Sequence, residues 1–151
     1  MSARKKLSAN DMRKARDVCH FFDVTVFYSF EKSYSSASPD NRSILMTLGD
    51  IKYQDSFWSI VFHELAHIEC YDKLLYERYH HLTDKYGNEM EGEELYRYMR
   101  KTSLKAERFV DNLGEKSMKT FFPELEYKKG YESKNSKKFI RKWVDDNFGT
   151  K

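Results

Sequence analysis

Phe57-Trp58-Ser59-Ile60-Val61-Phe62-His63-Glu64-Leu65-Ala66-His67-Ile68 is the stretch on which the reading of the whole chain turns. Apolar residues fill most of its positions, so the segment from about Ser56 to Tyr71 reads as a largely buried helix, with Asp55 or Ser56 as N-cap. Within it His63-Glu64-Leu65-Ala66-His67 spells HExxH. Two histidines at i and i+4 project from one helix face, about one turn apart. That spacing lets both imidazoles reach a single zinc ion, while Glu64 sits beside the remaining coordination position. A water activated there can lose its proton to Glu64 and attack a peptide carbonyl. His63 and His67 are therefore candidate ligands and Glu64 the candidate catalytic base. The competing reading is two core histidines bonded to backbone and a salt-bridged Glu64, since buried polar groups need partners in either case. The metal reading accounts for all three residues at once.

A zinc site of this kind needs a third protein ligand. The extended HExxHxxGxxH pattern is absent, because Cys70 stands at the glycine position and Lys73 at the third histidine. The better candidate lies on a second predicted helix, Ser103 to Phe121. There Glu107-Arg108-Phe109-Val110-Asp111 forms an ExxxD pair one turn apart, beside the apolar residues Ala106, Phe109, Val110 and Leu113. Glu107 could ligate zinc while Asp111 accepts a hydrogen bond from the outer nitrogen of a liganding histidine. An ion pair on a solvated helix shoulder is the alternative. His80, His81 and Cys70 are further conceivable ligands, although adjacent histidines on a helix diverge by about 100° and only one could point inward.

Taken together, HELAH on an apolar helix and the later run Lys105-Ala106-Glu107-Arg108-Phe109-Val110 resemble the gluzincin-type zinc metallopeptidases. The likeness is to the small ImmA/IrrE-like proteins of bacteria and phages, over about residues 10–122. The resemblance implies an α+β fold: a mainly helical, small zincin-like domain with a short β-sheet packed beside the HExxH helix. It implies Zn2+ as cofactor, held by His63, His67 and Glu107, with Glu64 as general base. It also implies that the substrate is a specific intracellular protein, such as a transcriptional repressor or other regulator. Many relatives carry an acidic residue before the alanine of the second motif, where this chain has Lys105. Phe121-Phe122-Pro123 only loosely echoes their usual leucine-methionine-proline ending. By the same resemblance, Ile44 to Leu48 would be the sheet edge along the substrate cleft.

The chain has 151 residues, enough for one domain with a real core, and 40% of them are apolar. A single domain over 1–151 is expected, its core about 10–122, followed by a polar loop and a C-terminal amphipathic helix. The net charge of +3 is too small to imply nucleic acid by itself, so Arg4, Lys5, Lys6 and the Lys-rich tail read as solubilising ends. Cys19 and Cys70 read as single buried thiols in a reducing compartment. The basic first residues lack a following apolar region, and no run of about eighteen apolar residues occurs. A cytoplasmic protein is the simplest expectation, in the host cytoplasm if the gene is viral, with no membrane partner and no nucleic acid.

Along the chain, Ser8 to Phe22 reads as a helix capped by Ser8 or Asn10, and Val24 to Phe30 as a strand. A Ser-rich mobile connection with a Pro39-Asp40-Asn41 turn leads to a second apolar run, Ser43 to Leu48. Asp72 to Tyr86 reads as helical and Gly87-Asn88 as a turn. Glu89, Glu91, Glu93 and Glu94 read as the start of the next helix, where acidic residues suit the N-terminal dipole. Around Lys137 to Asn147, residues Phe139, Ile140, Trp143, Val144 and Phe148 form an apolar patch that must dock on the body, a second copy or a target. Tyr127 and Tyr131 are candidate oxyanion stabilisers. The expected activity is zinc-dependent hydrolysis of a peptide bond. The rival expectation is a catalytically inactive zinc-binding regulatory module, DNA-associated in one variant.

Overall fold

Ser8 starts the first helix by a reciprocal cap. Its hydroxyl accepts from the Asp11 amide at 3.3 Å, and the Asp11 carboxylate accepts from the Ser8 amide at 3.0 Å. In this computed structural model, which describes residues 4–70, 86–129, 138, 141, 142, 144–147 and 149, the helix α1 runs Ala9–Phe21. Its buried side is Asp11, Ala15 and Cys19, successive residues one turn apart. Asp23, in the left-handed region at φ 58°, ends it; Asp23 donates to the His20 carbonyl at 2.9 Å and Val24 to the Cys19 carbonyl at 2.9 Å. The Arg42 side chain also holds the Asp23 and Phe22 carbonyls, at 2.9 and 2.7 Å.

Three strands follow: β1 (Thr25–Ser29), β2 (Ser36–Ser38) and β3 (Ser43–Thr47). The order is β1-β3-β2, with β1 parallel and β2 antiparallel to β3. The run Ile44 to Leu48 is therefore central, and the expectation that it forms the edge is corrected. Within the supposed mobile connection lies the edge strand β2, closed onto β3 by a turn in which Arg42 donates to the Pro39 carbonyl at 3.2 Å. Ser35 and buried Thr47 add side-chain support: the Thr47 amide donates to Ser35 Oγ at 3.0 Å, and the Thr47 hydroxyl donates to the Ser33 carbonyl at 2.6 Å. Period-two alternation sends Val26, Tyr28, Ile44 and Met46 inward and leaves Phe27 and Leu45 exposed.

The second helix, α2 (Gln54–Cys70), packs on this sheet and on α1. It begins before Asp55 and Ser56, so neither caps it from outside. Asp55 lies in the first turn, where its negative charge suits the helix dipole, and accepts from the Ser56 amide at 2.7 Å. Arg4, still substantially exposed, is also tied to the fold: it holds Asp55 at 3.0 and 2.5 Å and stacks 4.0 Å over the Tyr53 ring. Phe57, Trp58, Val61 and Phe62 are fully buried, each worth about 2 kcal/mol of transfer free energy. Asp11 ties α2 to α1, accepting from Gln54 at 2.8 Å and from the Trp58 indole at 3.1 Å. Burial pushes the Asp11 carboxyl up, but the Gln54, Ser8 and Trp58 bonds outweigh it and hold it below its usual range.

The last long helix, α3, runs Gly92–Phe121. It unites two expected pieces, the acidic start with Glu93 and Glu94 in the first turn and the helix from Ser103. Phe121 and Phe122 then pack among Phe21, Phe22, Trp58 and Phe62. The C-terminal helical residues dock on the body: Val144 is buried, and Asp145 accepts from the Tyr96 hydroxyl at 2.5 Å. Phe139, Ile140, Trp143 and Phe148 lie outside the described residues. The core draws on residues from Leu7 to Tyr127, slightly beyond the expected bounds. The class is α+β, and no described helix is long and apolar enough to cross a membrane.

Candidate metal centre

Ser59, His63 and His67 stand at i, i+4 and i+8 as a polar stripe on an otherwise largely apolar stretch of α2, and α3 covers that stripe. Three contacts fix the pairing. Ser59 meets Met118, His63 meets Asp111, and His67 meets Glu107. Numbers that rise along α2 fall along α3, so the helices run antiparallel. Glu107, Asp111, Gly114 and Met118 stand at i, i+4, i+7 and i+11, one continuous face of α3. Gly114 permits the close approach: a Cβ there would lie 3.0 Å from the Phe62 carbonyl oxygen, on the backbone of α2.

The result brings His63, His67 and Glu107 around one point, with their ligand atoms all within 4.8 Å of one another. Glu107 Oε2 is 3.1 Å from His63 Nε2 and 3.3 Å from His67 Nε2. Donors at about 2.0–2.1 Å from a tetrahedral zinc ion are separated by about 3.3–3.4 Å, so a small shift would admit the ion. The imidazole rings stand 4.8 Å apart and nearly perpendicular at 80°, free of stacking that would turn their nitrogens apart. On the far edge of the His63 ring, Nδ1 lies 2.9 Å from Asp111 Oδ1. That carboxylate fixes the ring with Nε2 turned toward Glu107, the placement expected of a partner behind a liganding histidine.

The electrostatics ask for positive charge. Burial pulls the His63 imidazolium down, but hydrogen bonds to Asp111 and Glu107, with the charge of Glu64, lift it to about 10. Burial pushes Glu107 up, and the two histidines more than reverse this, holding it far below the usual carboxylate range. A proton on His63 answers that demand, and a divalent cation between the same groups would answer it as well. Glu64 is 7% exposed and lies within the electrostatic reach of both histidines and Glu107. Its carboxyl is raised, mainly by burial, with a further push from Glu107 against the pull of the histidines. Raising brings a carboxylate nearer to the range in which it can both take and return a proton.

Comparison with protein families, with characterised proteins and with solved structures finds no match to this chain. The reading of the site therefore rests on its own geometry.

Of the expected site residues, His63, Glu64, His67, Glu107 and Asp111 come together. Tyr127 comes too, but in another place than expected. Its buried hydroxyl donates to Asp111 Oδ1, behind the Nδ1 edge of His63, rather than standing on the Nε2 side where an oxyanion would form. Tyr131, His80 and His81 lie outside the described residues. Sequence reasoning missed two contributors. Gly114 had a signal, since a lone glycine inside a helix needs a packing reason. Ser59, one turn before His63, had none. Its hydroxyl accepts from the Lys128 amide at 2.8 Å and so fixes the segment carrying Tyr127.

Proposed function

We propose that this protein is a zinc-dependent metallopeptidase of the HExxH type, with a zincin-like arrangement of α2 and α3 and Glu64 as its base. What supports the reading most is the convergence of His63, His67 and Glu107 on one point with buried Glu64 beside them. A zinc ion held there supplies the Lewis acidity that makes water a competent nucleophile at neutral pH. His63 and His67 would hold the ion through Nε2 and Glu107 through Oε2, while Asp111 keeps the His63 ring in register. Glu64 takes the proton of the attacking water on its carboxylate and returns it to the leaving amine nitrogen, so it ends each turnover as it began. Its burial favours both transfers by keeping the carboxyl poised above its usual range.

The substrate is proposed to be a protein presenting an extended segment. Among the described residues β2 has no strand on its outer side, and it packs beside α2. An extended chain can add there through backbone hydrogen bonds, and the small side chains of Ser36, Ala37 and Ser38 leave room for it. By the resemblance of its two motifs, the natural target would be an intracellular regulator such as a transcriptional repressor.

The test is a proteome-derived peptide library incubated with the zinc-loaded chain, with new amino termini counted by mass spectrometry. Cleavage by wild type that vanishes in Glu64→Gln and on chelation is the expected result. Equal cleavage, or none, from a zinc-replete wild type would point instead to a zinc-binding module without turnover.

A further inference from the structure

We propose that Tyr127 is a positioning residue for the metal centre, acting on His63 through Asp111; this rests on the metal reading of His63, His67 and Glu107. A single oxygen carries the argument. Asp111 Oδ1 lies 2.9 Å from His63 Nδ1 and also accepts from the Tyr127 hydroxyl. The other oxygen, Oδ2, is buried and has no hydrogen-bond partner among the described residues. Rotating the carboxylate would break both bonds to Oδ1, so the phenol locks the acceptor that locks the imidazole. It also shares the negative charge of that oxygen, which moderates the pull on the His63 Nδ1 proton. Through the ring, that pull sets how strongly Nε2 can donate to a metal.

The position of the phenol is itself built by the fold. Tyr127 is buried, and the next residue is pinned: the Lys128 amide donates to Ser59 Oγ at 2.8 Å, while the Ser59 hydroxyl donates to the Asp55 carbonyl at 2.6 Å. The segment after α3 is thus tied to α2 one turn ahead of His63. Gly114 leaves the space in which the hydroxyl sits, since a Cβ there would stand 3.0 Å from it. A tyrosine that merely filled the core would need some partner for its hydroxyl. Tyr28 is such a case: its hydroxyl donates to the Met12 carbonyl at 2.8 Å, in a different part of the core.

That contrast supplies the experiment. Tyr127→Phe removes the hydroxyl and keeps the ring, and Tyr28→Phe does the same away from the centre. Zinc affinity is measured by competition with a chromophoric chelator, the visible spectrum is recorded after cobalt(II) loading, and the His63 ring proton is followed by NMR in the metal-free chain. Loss of a carboxylate directly behind a ligand typically weakens metal binding about 10- to 100-fold, so loss of a group one bond further out should weaken it about three- to tenfold. Tyr127→Phe is expected to show that loss, a shifted cobalt spectrum and a moved Nδ1 proton resonance, with all three unchanged in Tyr28→Phe. Ser59→Ala, which removes the Lys128 anchor together with the Ser59 bond to the Asp55 carbonyl and its contact with Met118 and leaves the Tyr127 hydroxyl in place, should give a smaller change in the same direction and stands in if Tyr127→Phe does not fold. Wild-type affinity, spectrum and ring proton in the folded variants would overturn the proposal alone. A wild-type chain that takes up neither ion would overturn the metal reading beneath it, a result plainly distinct from the first.

Discussion

Glu107 and Asp111 meet the same imidazole from opposite edges, Glu107 Oε2 at 3.1 Å from His63 Nε2 and Asp111 Oδ1 at 2.9 Å from Nδ1. One turn of α3 separates them, so under the proposed metal reading a single helix would supply both a ligand and the group that aims its neighbour. Asp111→Asn should therefore leave the helix in place yet weaken zinc binding about 10- to 100-fold, read by isothermal titration. Unchanged affinity would mean that Asp111 only fills the interface. This part of the site was legible in the sequence because helical spacing alone relates His63 to His67 and Glu107 to Asp111. Tyr127 was noticed as a candidate oxyanion stabiliser, but its contact with Asp111 was not foreseen. A phenol beyond the end of a helix can reach many partners, and only the tertiary contact at Asp111 selects one.

The approach of α2 to α3 depends on one missing side chain at the scale of elements. A methyl group at position 114 would meet the Phe62 carbonyl oxygen and the Tyr127 hydroxyl, each at 3.0 Å. Alanine is the better helix former by about 1 kcal/mol. Overpacking typically costs about 1–3 kcal/mol and should win, because backbone on α2 cannot swing aside as a side-chain tip can. Gly114→Ala is expected to lower stability in urea denaturation and to weaken zinc binding as the two helices part, and a more stable variant would contradict this packing argument. Asp11 offers the complementary case at the α1–α2 junction. Asp11→Ala strands the donors of Ser8, Gln54 and Trp58 and should lower stability by about 3 kcal/mol while zinc stoichiometry stays intact. Loss of zinc in the folded Asp11→Ala protein would show the junction to be part of the site. The helices α1 and α2 were readable from apolar spacing and the Ser8 cap. The strand β2 was not, since Ser36-Ala37-Ser38 shows no alternation and is held by its ladder to β3. The thirty residues of α3 were read as separate starts, because no local signal carries the helix across its middle.

For the whole molecule, the charge arrangement of the centre becomes a dependence of stability on pH. In the metal-free chain His63 is raised from 6.5 to about 10, so its contribution is complete below pH 6.5 and is lost as the pH climbs toward about 10. Glu107 is lowered from 4.5, so its contribution is present above pH 4.5 and fades as the pH falls below that value. Metal-free protein should melt at its highest temperature between pH 4.5 and 6.5 and less stably on the alkaline side. Zinc-loaded protein should not show the alkaline loss, because the ion stands where the proton stood. A metal-free melting temperature that stays flat from pH 6.5 to about 10 would contradict this view of His63. Composition foretold a chain able to bury a real core, and the core gathers residues from Leu7 to Tyr127, as the apolar share allowed. The antiparallel seat of α3 on α2 was not readable, because it depends on which faces meet. The claim on which everything else depends is that this seat holds a metal. Elemental mass spectrometry of the purified chain, beside His67→Ala and Glu64→Gln, tests it directly. About one zinc per wild-type chain is expected, lost in His67→Ala and kept in Glu64→Gln. No zinc in wild type, even after reconstitution, would make HELAH a core helix and contradict the account.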